Sequence, residues 1–249
     1  MPRYTQSNYR RVYIDSSAGA LKAALRLAVT EYLAGPSDTL RVLDAFAGKG
    51  KLWRAVARAS AVNLEVLGID QEKRTSRLNI MSRNERLLRS INLGSFHVVD
   101  LDSYGIPAEQ AHVLGMRKYP GPVIWTAASA SFAHMPRLIV EYEGMPWEWD
   151  QLARSVLGDR DRDRLGRRFC DYMTRLGWHH HAFTTLTTRV SHIYGVSSRG
   201  ELPVSRASLA AAYSRLTGAN GGEYAGHEYP MGGPHLESDD RVHEDHGGL

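Results

Sequence analysis

Cysteine is almost absent from this chain. Cys170 stands alone among 249 residues, which excludes an internal disulfide and any cysteine-based zinc site. No apolar run reaches eighteen residues, and the opening Met-Pro-Arg-Tyr-Thr-Gln lacks a signal-peptide core. Those two absences predict a soluble, cytoplasmic protein without a membrane partner. Internal repeats are also missing. Basic residues are scarce at one end: from Ala219 onward seven acids face a single arginine, leaving 30 basic and 20 acidic residues in the body out of the chain's 31 and 27. Such a body suits a polyanion or is simply a solvated basic surface. With 43% apolar residues the chain can bury a sizeable core, so one α/β domain is expected over residues 1–218, with an arm and helix at 1–35. Residues 219–249, rich in glycine, acids and histidine, are expected to be disordered.

What is present centres on Arg41 to Gly50, Arg-Val-Leu-Asp-Ala-Phe-Ala-Gly-Lys-Gly. Val42 and Leu43 form a buried strand, Asp44 lies at its carboxyl end, and Gly48 and Gly50 let the backbone turn sharply and approach a ligand. A helix follows over about Lys51 to Arg58. In open α/β sheets, ligands sit at the carboxyl ends of strands. A dinucleotide site would need a third glycine three residues after Gly50, before Arg54 and Ala55, and it is missing.

A second strand, Leu64 to Ile69, ends in Asp70, twenty residues after Gly50. Leu78 to Met81 reads as a third strand and Glu85 to Ile91 as a short helix. Val98 and Val99 begin a fourth strand with Asp100 and Asp102 at its carboxyl end. A buried carboxylate costs several kcal/mol unless it is hydrogen-bonded or near solvent, so this pair is a functional candidate; cap and turn roles are the plainer reading.

The Asp44-x-Phe46-x-Gly48-x-Gly50 turn resembles the first motif of class I S-adenosylmethionine-dependent methyltransferases. Asp102-Ser103-Tyr104 resembles the Asp-Pro-Pro-Tyr motif of amino-directed base methyltransferases. The longer Asp100-Leu-Asp-Ser-Tyr-Gly-Ile-Pro107 is similar to the Asp-Leu-Asp-Pro-Phe/Tyr-Gly-Ser-Pro of tRNA guanine N2-methyltransferases, departing at Ser103 and Ile106. The resemblance implies a Rossmann-like, doubly wound α/β sheet with a C-terminal antiparallel hairpin. S-adenosyl-L-methionine would be the cofactor, held by Asp44, Phe46, Gly48, Gly50, Asp70, Asn84 and Asp100. Asp70 would accept both ribose hydroxyls, and Asn84 would read the adenine amine or be a surface residue. Asp102 and the Ser103 carbonyl would accept the two hydrogens of a base amine, and Tyr104 would stack on the extruded base. The partner implied is nucleic acid, RNA favoured over DNA. Two alternatives stay open: DNA amino-methylation of a mobile-element type, and a non-catalytic binding protein with this fold.

Cytosine C5 chemistry needs an activating cysteine. No Pro-Cys motif exists, and Cys170, in Arg-Phe-Cys-Asp, reads as a packing residue.

The remaining elements follow in order. Arg3, Arg10 and Arg11 interleave with Tyr4, Tyr9 and Tyr13, as an arm for nucleic acid or one folded over the pocket. Leu21, Leu25, Ala28 and Tyr32 recur at helical spacing in what reads as an ordinary packing helix. Pro120 to Thr126 is a fifth strand, with Thr126, Ser129 and Ser131 near its end. Met145, Trp147 and Trp149 either stack on a substrate or cover the sheet. One or two helices run from Leu152 to Leu176 and stop at Gly177. Trp178 to Thr188 and Val190 to Ser197 form a hairpin, in which alternation separates His179, His180 and His181 and argues against a metal. Ser205 to Leu216 is the last helix.

Overall fold

The computed structural model describes residues 16–34, 39–70, 79–103, 106–130, 162–186, 190–201, 204–218 and 227–228. The elements are α1 (Ser16–Leu33), β1 (Thr39–Asp44), α2 (Lys51–Ala59), β2 (Asn63–Asp70), β3 (Asn79–Met81) and α3 (Asn84–Ser90). They continue with β4 (Val98–Asp102), α4 (Ala108–Met116), β5 (Val123–Ala130), α5 (Arg162–Arg175), β6 (His179–Leu186), β7 (Val190–Ser198), α6 (Arg206–Thr217) and β8 (His227–Glu228).

They build one sheet in the order β3-β2-β1-β4-β5-β7-β6-β8. The strands from β3 to β5 are parallel, and β7 enters antiparallel between β5 and β6. The chain therefore starts mid-sheet at β1, works out to one edge, returns to β4 beside β1, and closes with a hairpin. This is the doubly wound sheet with a C-terminal antiparallel hairpin that the sequence predicts.

Side chains alternate along each strand, and that alternation divides the core. Val42, Val98, Ile124, Tyr194 and Val196 face α1, α2 and α6. Leu43, Val99, Leu101, Val123 and Trp125 face α4 and α5. In α1 every residue from Leu21 to Thr30 is buried, so this helix is enclosed by the sheet and its neighbours. At about 25 cal/mol per Å² of apolar area, enclosing such a helix is a principal source of stability.

Local signals explain where elements stop. Gly177 takes φ +86 after α5, which gives the expected helix end. Ser205 and Ser208 form a reciprocal capping box at the start of α6, and Gly218 at φ +70 closes it. Trp125 pairs across the sheet with Gly195, and a Cβ at Gly195 would lie 2.1 Å from the indole. That glycine makes room for the ring, which packs edge-on against Phe169 with centroids 5.1 Å apart and donates to Ser197 Oγ at 2.8 Å.

The structure adds to the sequence reading at three places. Helix α4 fills the connection after Pro107, for which no element is read from sequence. Strand β5 starts three residues later than expected and runs on to Ala130. His227 and Glu228, within the tail expected to be disordered, pair with Thr184 and Phe183 of β6. The arm at Met1 to Ile14, Tyr104, Ser131 and the Met145, Trp147 and Trp149 cluster lie outside the described residues.

Candidate active site at the carboxyl ends of β1 and β4

Because strand period is two, residues 42 and 44 share a face with 98, 100 and 102. Asp44 is the register partner of Asp100, and Asp102 that of Thr126. Three carboxylates thus converge on the face covered by α1 and α2. Asp70 ends the adjacent strand β2, two residues beyond Gly68, the register partner of Asp44.

The glycine turn is folded as its sequence requires. Gly48 and Gly50 adopt φ +50 and +63, left-handed conformations that cost glycine nothing. Ala45 N–H donates to the Asp100 carbonyl at 2.9 Å, and Ala47 N–H to the Ile69 carbonyl at 3.0 Å. These bonds seat the turn across three strand ends. Phe46 N–H donates to Asp44 Oδ1 at 3.2 Å. Among the described residues, a Cβ placed on Gly48 would meet only the Phe46 carbonyl, 3.9 Å away.

Helix α1 completes the site, and sequence reasoning takes it for packing alone. Arg26, 1% exposed, donates from Nε to Asp100 Oδ2 at 2.7 Å and from Nη2 to Oδ1 at 2.8 Å. A third donor, Nη1, reaches the Lys22 carbonyl at 2.8 Å. Trp53 of α2 donates its Nε1–H to Asp100 Oδ2 at 2.7 Å. Both oxygens of Asp100 are therefore engaged by protein donors. Lys22 Nζ lies 2.5 Å from Asp102 Oδ1 and 5.6 Å from the Tyr194 ring centroid. Thr126 also hydrogen-bonds Asp102, and Ser103 Oγ donates to the Thr126 carbonyl at 3.2 Å.

These contacts give the three carboxylates different characters. Burial, reinforced by the charge of Asp100, pushes Asp44 well above the usual carboxylate range, against the pull of Arg26. Burial also raises Asp100, with the Arg26 ion pair opposing it. For Asp102 burial works in the same direction, but Arg26 and Lys22 outweigh it and hold the carboxyl below its ordinary value. Burial disfavours the charge of Arg26 too, and the neighbouring carboxylates more than restore it. Asp102 keeps 15% of its side chain exposed where Asp100 keeps 1%, so it is the ionised carboxylate that a ligand can still reach.

The other sequence candidates are placed as follows. Asn84 is buried as the first residue of α3, just after β3, whose Met81 is the register partner of Asp70. Asp70 is partly buried. Tyr104 is outside the described residues. Lys22, Arg26 and Trp53 are the residues missed. A signal exists: Lys22 and Arg26 are the only charged residues between Ala18 and Val29, and a spacing of four places them on one helical face. Cys170 is buried in α5, where burial and then Asp171 push its thiol up. It has the character of a packing residue.

No family model matches this chain, and no curated protein matches it. Solved structures do. Trm1 from Pyrococcus horikoshii with S-adenosyl-L-methionine is 15% identical, with 76% of this chain and 57% of that chain covered and a TM-score of 0.45. The plantazolicin methyltransferase BpumL in complex with SAH is 10% identical, with 74% and 87% covered and a TM-score of 0.41. A tryptophan-to-alanine variant of the 16S rRNA (adenine(1408)-N(1))-methyltransferase from Catenulisporales acidiphilia is 14% identical, with 76% and 94% covered and a TM-score of 0.36. The strand order, with its inserted antiparallel β7, decides the architecture. The fold is a Rossmann-like, doubly wound α/β sheet closed by an antiparallel hairpin. Among the described residues no helix is long and apolar enough to cross a membrane.

Proposed function

We propose that this protein is an S-adenosyl-L-methionine-dependent methyltransferase acting on an exocyclic amine of a nucleic-acid base, with guanine N2 of tRNA as the first substrate to test. The observation that carries the reading is the asymmetric carboxylate cluster. Asp100 is consumed by Arg26 and Trp53, while Asp102 is held ionised at the rim.

The cofactor fits the residues present. Among the described residues, the cations facing Asp44, Asp100 and Asp102 are Lys22 and Arg26, so one negative charge is left for a cationic ligand when all three are ionised. With no Cβ at Gly48 and none of the described side chains against it, a ligand would approach the backbone there, and Asp70, one strand over, would take the ribose hydroxyls. Phe46 is part of the turn, and Asn84 would read the adenine amine. Asp100 acts in this scheme as the anchor that fixes Arg26 and the turn. When bound, the cofactor supplies an electrophilic methyl group on a sulfonium sulfur.

The chain's own contribution is orientation. A base amine is delocalised into its ring and attacks poorly, so the gain comes from holding its nitrogen in line. Asp102 would accept one amine hydrogen, and the Ser103 carbonyl would accept the second. Lys22 and Arg26 keep Asp102 charged and therefore an acceptor, and they make it a weak base. The departing proton then passes to solvent, and no covalent intermediate on the protein is needed.

Transfer of labelled methyl to tRNA transcripts, with single-stranded and duplex DNA in parallel, tests this. Labelled RNA, with Asp102→Ala slowed by about 10²-fold as expected for lost positioning, supports the proposal. Label in DNA alone selects the DNA amino-methyltransferase alternative. Cofactor binding with no product on any nucleic acid would leave a non-catalytic binding protein.

A further inference from the structure

Helix α2 begins at the glycine turn and carries Lys51, Arg54 and Arg58 on its outer side. At 100° per residue these three fall within a 60° arc, opposite the buried Trp53 and Val56. Lys49, in the turn itself, precedes them, and all four are exposed. No acid occurs from Ala45 to Leu64, and none of the four is ion-paired among the described residues. Arg54 folds back over the turn, its Nη1 3.4 Å from where a Cβ on Gly50 would sit. The row therefore starts at the lip of the candidate site and runs about 10 Å along the helix.

An ordinary solvated face would mix charges at i,i+4 spacing. Here like charges stand three and four apart, and a lysine occupies the first turn, where the helix dipole repels it. Each of these choices is unfavourable alone and becomes favourable when anions lie along the row. Steps of about 4.5 and 6 Å between successive cations suit consecutive phosphates of a flexible strand.

We propose that Lys49, Lys51, Arg54 and Arg58 form a phosphodiester track that holds the backbone of the nucleic acid whose base reaches Asp102. This rests on the function proposed above.

The test is fluorescence anisotropy of the full chain with a labelled single-stranded RNA, the matched DNA strand and its duplex, titrated with NaCl. The comparison is with Lys49→Gln/Lys51→Gln/Arg54→Gln/Arg58→Gln. Each phosphate contact contributes about 0.7 to the slope of log K against log salt for a single strand. The quadruple variant should therefore flatten the slope by about 2 to 3 and weaken binding at low salt by at least about tenfold. Arg86→Gln/Arg89→Gln on α3, exposed on the opposite side of the sheet, should keep the wild-type slope. The preferred strand identifies the substrate class. An unchanged slope, or equal losses in both variants, overturns the track. Because S-adenosylhomocysteine binding is read separately by calorimetry, failure of the track with the cofactor bound is distinct from failure of the methyltransferase reading.

Discussion

Replacing Arg26 with methionine isolates the interaction on which the site is built. The guanidinium makes two bonds of 2.7 and 2.8 Å to Asp100, and both side chains are 1% exposed. Methionine keeps the volume of the stem and removes the charge. Asp100 is then left buried with only the Trp53 donor. Breaking a buried pair from one side costs about 3–5 kcal/mol, a large part of a domain's total of about 5–15 kcal/mol. With a urea m-value of about 3 kcal/mol/M, the midpoint should fall by about 1–1.7 M, followed by tryptophan fluorescence. The penalty depends on pH with a definite sign. The unpaired Asp100 has its folded pKa raised further, so the folded state binds the extra proton and stability falls as pH rises through that pKa. The deficit should therefore be smaller near pH 4 than at pH 7. Arg26→Met/Asp100→Asn should recover much of the loss, because no charge remains unpaired and the amide oxygen still accepts from Trp53. A midpoint shift under about 0.3 M for the single variant, or no recovery in the double, would refute the reasoning.

Other expectations follow from the same geometry. Asp44 has a raised folded pKa, so its ionisation works against folding between the unfolded pKa and that raised value; Asp44→Asn should raise the melting temperature at pH 7 more than at pH 4, as calorimetric scans would record. Asp102 has a lowered folded pKa, so its ion pair stabilises above the unfolded pKa and that support is lost as pH falls through the folded value. Lys22→Met should move the Asp102 carboxyl upward in a carbon-13 NMR titration, and no movement would remove Lys22 from the account. Gly195→Ala drives a methyl into the Trp125 indole and should cost about 1–3 kcal/mol or more by overpacking, read in urea melts with a change in Trp125 emission.

Much of the fold is legible because its strands are short apolar runs bounded by acids and glycines. Val42-Leu43-Asp44, Leu64 to Asp70 and Val98 to Asp102 each announce a strand and its acidic carboxyl end at once. The glycine turn is legible because only glycine takes φ +50 and +63 freely. Helix α4 is not, since Ala108 to Met116 is half apolar all round and its only start signal, Pro107, also serves turns. The pairing β6–β8 escapes because two residues in a glycine-rich tail carry no pattern.

Within the site, Asp44 and Asp102 can be picked out as strand-end acids, but their characters cannot. What separates them is Arg26 and Lys22, 74 and 80 residues from their partners. Periodicity marks the helix that carries these cations as a packing element, and their contacts depend on tertiary placement.

In the function proposed above, the strand-end carboxylates hold S-adenosylmethionine. Isothermal titration of the purified chain with S-adenosylhomocysteine tests it most directly, alongside Asp44→Asn and Asp70→Asn, substitutions that keep side-chain size. The wild type should bind, and each variant should lose about tenfold or more in affinity, ~1.4 kcal/mol, with folding intact. A folded wild type that takes up no ligand would contradict it, as would binding that is indifferent to both substitutions.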